Sequence, residues 1–405
     1  MPKISIVLPT FNGERYLKSS IHSILSQTFP DWELIIVDDC STDGTADIIK
    51  RYAQSDSRIR VIRNEKNQKL PGSLNIGFSV AKGEYLTWTS DDNLYLPDAL
   101  AEMAACLDFH PDIFMVRCDM QIIDENGTVT GCAGAYTNEK MYTYNCLGAC
   151  FLYRKEVYDQ IGNYDIHTFC VEDYDYWLRI LDRFGSIQSI DKTLYQYRRH
   201  GCSLTETKKI QIRDQLTKLR IRYIDTILRI LCKNPGELCR IYYEMKRSPF
   251  MTPEIINRFK QVVPELCNEV PFAANKKYVI FAAGNHGEEA AEQLGCQAVA
   301  FADNCTAKIG TIKCGLKVLF LPEAAAFVKK HALSDAEYSS IPTKSRIMEF
   351  PDDDTLSDRI RCLPDETTYC FLIAIAGEHI YELICQLQNA GITKYCVYDR
   401  KELNR

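Results

Sequence analysis

Four short polar clusters carry side chains that could do chemistry: Pro9-Thr10-Phe11-Asn12, Asp38-Asp39, Ser90-Asp91-Asp92-Asn93 and Glu172-Asp173. A basic run, Arg198-Arg199-His200, follows them. Paired carboxylates are hard oxygen donors that can hold a divalent cation against a phosphate-bearing ligand. A single well-placed carboxylate can take a proton from a hydroxyl. Each cluster also has a purely structural reading, as a solvated turn that closes a strand or as an acidic helix start. Whether the fold gathers them at one place decides between the two.

The elements around the clusters say that it should. Ile4 to Leu8 is a short apolar run closed by Pro9, and Glu33 to Val37 is a nearly continuous one ending in Asp38-Asp39. Such runs fit strands covered on both faces. Arg58 to Arg63 and Tyr85 to Thr89 read as further strands, the latter ending at Ser90-Asp91-Asp92. Between them, Tyr16 to Gln27 and Ala46 to Tyr52 show helical spacing. Strand and helix in alternation predict an α/β fold with a mixed, mostly parallel sheet flanked by helices. In such sheets ligands sit beyond the carboxyl ends of the strands. Three polar strand ends on one edge therefore outline one site.

Composition narrows the class. The chain has 405 residues, 48 basic and 54 acidic, for a net charge of −6. That balance argues against a nucleic-acid binder, which needs a strongly basic face. No apolar run approaches the ~20 residues of a membrane span, and the start of the chain is too quickly polar for a signal peptide. The 18 cysteines contain no C-x-x-C pair, and the seven histidines no H-E-x-x-H spacing. The cysteines are expected to be reduced, small apolar residues, and the protein cytoplasmic.

Taken in order, Ile4-Ser5-Ile6-Val7-Leu8-Pro9-Thr10-Phe11-Asn12, Val37-Asp38-Asp39-Cys40-Ser41-Thr42-Asp43-Gly44-Thr45, Gly83-Glu84-Tyr85-Leu86 with Ser90-Asp91-Asp92-Asn93, and Glu172-Asp173-Tyr174-Asp175-Tyr176-Trp177 resemble a family 2 glycosyltransferase of the GT-A fold. Spore-coat and other bacterial polysaccharide transferases are similar. The resemblance covers roughly residues 1 to 205 and implies an inverting, metal-dependent transfer of a sugar from a nucleotide donor, a UDP-sugar being expected, to a glycan or lipid-linked saccharide. It implies that Asp92 binds Mn²⁺ or Mg²⁺, with Asp91 on the ribose or donor sugar. Ser90 stands where the family often has the first acid of D-x-D. Asp39 would contact the base in a pocket lined by Pro9, Thr10 and Asn12. Asp173 would be the general base, with Glu172 beside it. His200 is a candidate metal ligand and Arg199 a candidate for the diphosphate, although a basic surface loop fits the same residues. Lys69 lies where many relatives carry an arginine, and is a candidate for the donor's negative charge.

The rest of the chain is organised differently. Residues 206–270 read as a helical linker. Within 207–233, Leu216, Leu219, Tyr223, Ile227 and Leu231 form an apolar face among many lysines and arginines. Such a helix can lie on an anionic membrane, which would give peripheral contact with the membrane's inner face, or pack on its parent domain. Residues 271–405 resemble a smaller Rossmann-like α/β domain, with a glycine turn at Gly284 and Gly287 and an acid, Asp303, closing the next strand. NAD or another nucleotide is one reading of that turn; tight packing in a docking domain is the other. Asp352-Asp353-Asp354 is expected to be a solvated loop. Two other functions remain open to the sequence: a silent sugar-nucleotide-binding scaffold, and an NAD-dependent oxidoreductase acting through the C-terminal domain.

Overall fold

The structure is a computed structural model, and it describes residues 1–134, 137–246, 248–269, 277–281, 285–294, 298–304, 307–314, 316–332, 369–374, 379–392 and 395–397. The chain divides into two compact units, Met1–Ile227 and Leu228–Arg405. The boundary falls inside the basic helical stretch, so the helix Lys209–Arg222 goes with the first unit.

The first unit is built on a nine-stranded sheet. Strands β1 (Ile4–Thr10), β2 (Trp32–Asp38), β3 (Ile59–Arg63) and β4 (Tyr85–Trp88) run parallel in the order β3-β2-β1-β4. Every residue of β1 and β2 is buried, as expected of strands covered on both sides. Alternation assigns the faces. Ile4, Ile6 and Leu8 join Leu34, Ile36, Leu17, Ile21 and Ile24 in one core cluster. On the other face, Val7 and Val37 meet the helix Lys69–Ser79 at Gly77. A Cβ on Gly77 would sit 2.4 Å from Val7 Cγ1, so the helix comes this close only because the residue is glycine.

Beyond β4 the sheet turns antiparallel. β4 pairs with β8 (Phe151–Arg154), which pairs with β6 (Met115–Ile123). β6 then runs parallel to β9 (Gln188–Arg198), whose end pairs with the two-residue β5 (Leu94–Tyr95), and β7 (Val129–Ala133) hairpins back on β6. The chain thus steps from β1 to β2 and β3, then crosses back to place β4 on the far side of β1. Strand order reverses between β1 and β4, which opens a crevice at their carboxyl ends.

The second unit has a six-stranded sheet. β10 (Lys277–Phe281), β11 (Ala298–Asp303), β13 (Leu316–Phe320), β14 (Tyr369–Ile373) and β15 (Tyr395–Val397) are parallel, and β12 (Ile312–Lys313) is antiparallel at one edge. Its core includes Tyr278, Ile280, Phe301, Val318 and Leu372. Gly284 and the Asp352-Asp353-Asp354 triplet lie outside the described residues. Gly287 lies in the helix Asn285–Leu294, and Asp303 is paired with Lys308 Nζ at 3.0 Å.

The basic stretch corrects one expectation. It is two helices, Lys209–Arg222 and Ile224–Leu231, meeting at Tyr223. Arg220 is buried and donates to the Thr143 carbonyl, and Arg222 pairs with the fully buried Asp175. The split between an apolar face and a solvated basic face therefore fails at the end of the first helix. Two of its cations are consumed by the sheet domain. Among the described residues no helix is long and apolar enough to cross a membrane, and the cysteines described are free thiols.

Candidate active site

The crevice between β1 and β4 is where the three strand-end clusters meet. Thr10, the last residue of β1, donates its hydroxyl to Asp91 Oδ2 at 2.5 Å across that crevice. Gly13 makes the approach possible: a Cβ there would lie 2.2 Å from the same oxygen and 2.5 Å from Thr10 Oγ1. Pro9 is buried in β1. Asn12, at φ 56°, is exposed and ties the loop to the turn after β2: its amide donates to Ser41 Oγ, and its side-chain oxygen accepts from the Thr42 amide.

The two acids after β2 separate by role. Asp38 accepts from the Ser41 amide at 2.9 Å and pairs with Arg63 at 2.8 Å, which makes it a structural capping acid. The Asp39 amide donates to the Thr10 carbonyl, locking the two strand ends together. Its carboxylate organises the segment before the helix Lys69–Ser79. Oδ1 accepts from Asn64 Nδ2 at 2.8 Å and the Gln68 amide at 2.7 Å, and Oδ2 from the Lys69 amide at 3.0 Å. Lys69 contributes that amide at φ 65°, with its side chain exposed.

After β4, the turn at Asp91-Asp92 is held from outside the parallel strands. Arg198, at the end of β9, is buried and donates Nε to the Asp92 carbonyl at 2.9 Å, with further bonds to the carbonyls of Asp124 and Glu125. Its guanidinium lies 4.6 Å from the Tyr16 ring centroid, and that ring packs on His200 at 5.1 Å. His200 Nε2 sits 3.0 Å from Asp92 Oδ2. The other oxygen of Asp92, Oδ1, is buried with no hydrogen-bond partner. Burial pushes the Asp91 carboxyl up to about 7, and the neighbouring Asp92 charge adds to the rise. Burial also raises Asp92, against the opposing pull of His200. Arg199 bonds to Ile123 through its backbone, and its side chain is exposed.

Glu172 and Asp173 open the helix Glu172–Phe184. Glu172 is buried and accepts from the Cys170 amide at 2.6 Å. Burial, with the Asp173 charge behind it, raises its carboxyl to about 8. Asp173 is also raised by burial, opposed by bonds from the Tyr174 amide at 2.6 Å and Asn145 Nδ2 at 3.4 Å. The Tyr197 phenol, on β9, is raised by burial and further by the charges of both Asp92 and Asp173. One ring therefore feels the charges of both clusters. Asp175 and Trp177, further along the same helix, are fully buried; Trp177 packs edge-on against Phe151 at 4.5 Å.

The structure thus brings Thr10 to Asp91 and His200 to Asp92 directly, whereas no contact joins Asp173 to them among the described residues. Asp39 borders Thr10. The side chains of Lys69 and Arg199 are exposed instead of committed to this network. Sequence reasoning passed over Arg198, Tyr16, Asn64, Gln68 and Asn145. Of these only Arg198 stood in a run the sequence singled out, Arg198-Arg199-His200, and nothing in that run separates it from Arg199.

A family model described as Glycosyl transferase family 2 matches residues 5–162. EpsE, a putative glycosyltransferase of Bacillus subtilis (strain 168), is 35% identical over 204 residues, which is 49% of this chain and 73% of EpsE. The chain belongs to glycosyl transferase family 2. A second relative of this glycosyltransferase is the Escherichia coli protein named UDP-Glc:alpha-D-GlcNAc-diphosphoundecaprenol beta-1,3-glucosyltransferase WfgD. It is 28% identical over 249 residues, 59% of this chain and 90% of WfgD. Among solved structures, S. aureus TarS 1-349 in complex with UDP-GlcNAc is similar over 65% of this chain and 82% of that one, at 21% identity and a TM-score of 0.48.

Proposed function

We propose that this glycosyltransferase transfers a sugar, with inversion, from a UDP-linked donor to a lipid-linked saccharide or growing glycan in cell-surface polysaccharide synthesis. The observation that carries the reading is the arrangement at the β1/β4 crevice, where Asp92 keeps a buried, unpartnered oxygen, with His200 on its other oxygen and Asp91, held by Thr10, next to it. A buried carboxylate oxygen without a partner costs about 1–3 kcal/mol or more, which a ligand would recover. Donor and acceptor class are supported by what WfgD's name states of WfgD.

The residues fit a divalent cation. Asp92 and His200 would hold it. Among the described residues no group of three His, Cys, Asp or Glu side chains could hold a metal ion, so phosphate oxygens and water would complete its shell. When bound, such a cation offsets charge building on the leaving diphosphate. Asp91, held by Thr10, would face the ribose or donor sugar. Asp39 retains an acceptor direction on Oδ2 for a base N–H, in the pocket bordered by Pro9, Thr10 and Asn12. Asp173 would take the acceptor proton; burial moves it toward neutrality, where a base works best. In this account residues 1–205 form the catalytic domain with the helix Lys209–Arg222 packed on it, the rest of 206–270 is a helical connection and 271–405 an accessory domain.

The test is UDP release from UDP-glucose, UDP-galactose or UDP-N-acetylglucosamine, whichever turns over fastest, with Mn²⁺ present. Asp173→Asn is expected to lower kcat by about 10²–10⁴-fold while UDP binding stays within twofold. Wild-type turnover by a variant that binds UDP normally would remove Asp173 as the base.

A further inference from the structure

The basic helix Lys209–Arg222 grips the mount of the proposed base from two sides. Arg222 Nη1 donates to Asp175 Oδ1 at 2.5 Å, and Arg179 Nε donates to Oδ2 at 2.9 Å. Asp175 is fully buried and belongs to the first turn of the helix that begins at Glu172 and Asp173. Arg222 Nη2 also lies 3.6 Å from Asp165. Arg220, on the same last turn, donates Nη2 to the Thr143 carbonyl at 2.7 Å. Two residues on, Asn145 reaches Asp173 Oδ2 at 3.4 Å. Between these arms, the Tyr174 hydroxyl donates to the Met141 carbonyl at 2.6 Å. One helix therefore fixes both the turn that carries Asp173 and the loop that carries its side-chain partner.

We infer that Arg222 and Arg220 are positioning residues for Asp173, acting through Asp175 and through the Thr143–Asn145 loop. This rests on the reading of Asp173 as the base. The physical basis is that a base misplaced by ~1 Å loses on the order of 10²-fold in rate, although every reacting group is still present. The basic run after the catalytic sheet then belongs to the reaction. An arginine is needed at 222 because its fork reaches two acids, Asp175 and Asp165, which an ammonium cannot match in geometry.

The experiment compares full-length Arg222→Met and Arg222→Lys with Asp173→Asn in the same UDP-release assay. Arg222→Met is expected to lower kcat by about 10–100-fold with donor KM within twofold, and Arg222→Lys to recover part of the loss. Wild-type kcat in Arg222→Met, with Asp173→Asn inactive, would overturn the positioning role and leave the base intact. Wild-type kcat in Asp173→Asn would remove the base and this inference with it. Should Arg222→Met fail to fold, Asp175→Asn/Arg222→Met removes the buried carboxylate that would otherwise keep only Arg179 of its two arginines. A low kcat with unchanged KM in that soluble double variant supports positioning, and wild-type kcat overturns it.

Discussion

At the scale of residues, Glu172 offers a readout separate from catalysis. Its carboxyl is raised to about 8 by burial and the Asp173 charge, from an ordinary value of 4.5. Between those values the folded protein keeps a proton that the unfolded chain has released, so stability falls as pH rises through that window. One such proton changes stability by at most about 1.4 kcal/mol per pH unit. Glu172→Gln is therefore expected to flatten the decline in unfolding temperature between pH 5 and 8, and equal slopes for variant and wild type would contradict the assignment. The acids were legible in the sequence because each follows a strand or opens a helix. Their division of labour was not. Asp38 and Asp39 are neighbours of one type, yet one is neutralised by Arg63 and the other organises the segment Asn64–Lys69. Arg198 and Arg199 present the same difficulty. Which of the two turns inward depends on the phase of β9, and the buried one, Arg198, holds the Asp92 turn.

Among the elements, the parallel strands could be read directly, because full burial leaves an almost unbroken apolar run. The antiparallel half could not. β6 carries Arg117 at 1% exposure, satisfied by Ser189 and the Cys146 carbonyl, and its pairing with β9 shifts register around Asp119. A buried cation and a register shift erase the period that identifies a strand. The helix Lys69–Ser79 escaped for a related reason: Pro71, Gly72 and Gly77 are poor helix residues, and tertiary packing overrides that preference. Gly77 is where the packing can be tested. Alanine there would gain up to ~1 kcal/mol of helix propensity, but its Cβ would press on the stiff, buried Val7. Overpacking of that kind costs about 1–3 kcal/mol. Gly77→Ala is expected to lower the urea midpoint, whereas an unchanged or higher midpoint would show that the helix can back away.

For the molecule as a whole, two units with separate cores predict that donor recognition stays within one of them. The proposed site uses strand ends, a turn held by Arg198 and a helix start, all inside Met1–Ile227. In Leu228–Arg405, the alternation of strand and helix was readable. Its suggested nucleotide acid, Asp303, closes β11 and pairs with Lys308. The most direct measurement is amide hydrogen exchange of the full chain with UDP, with and without Mn²⁺. The account predicts that UDP with Mn²⁺ slows exchange in peptides spanning Thr10–Gly13, Asp39–Ser41, Asp91–Asn93 and Arg198–His200, that UDP alone does so far less, and that peptides of Leu228–Arg405 do not change. Protection that is independent of metal, or that appears in Leu228–Arg405 instead, would contradict a metal-assisted nucleotide site at the β1/β4 crevice.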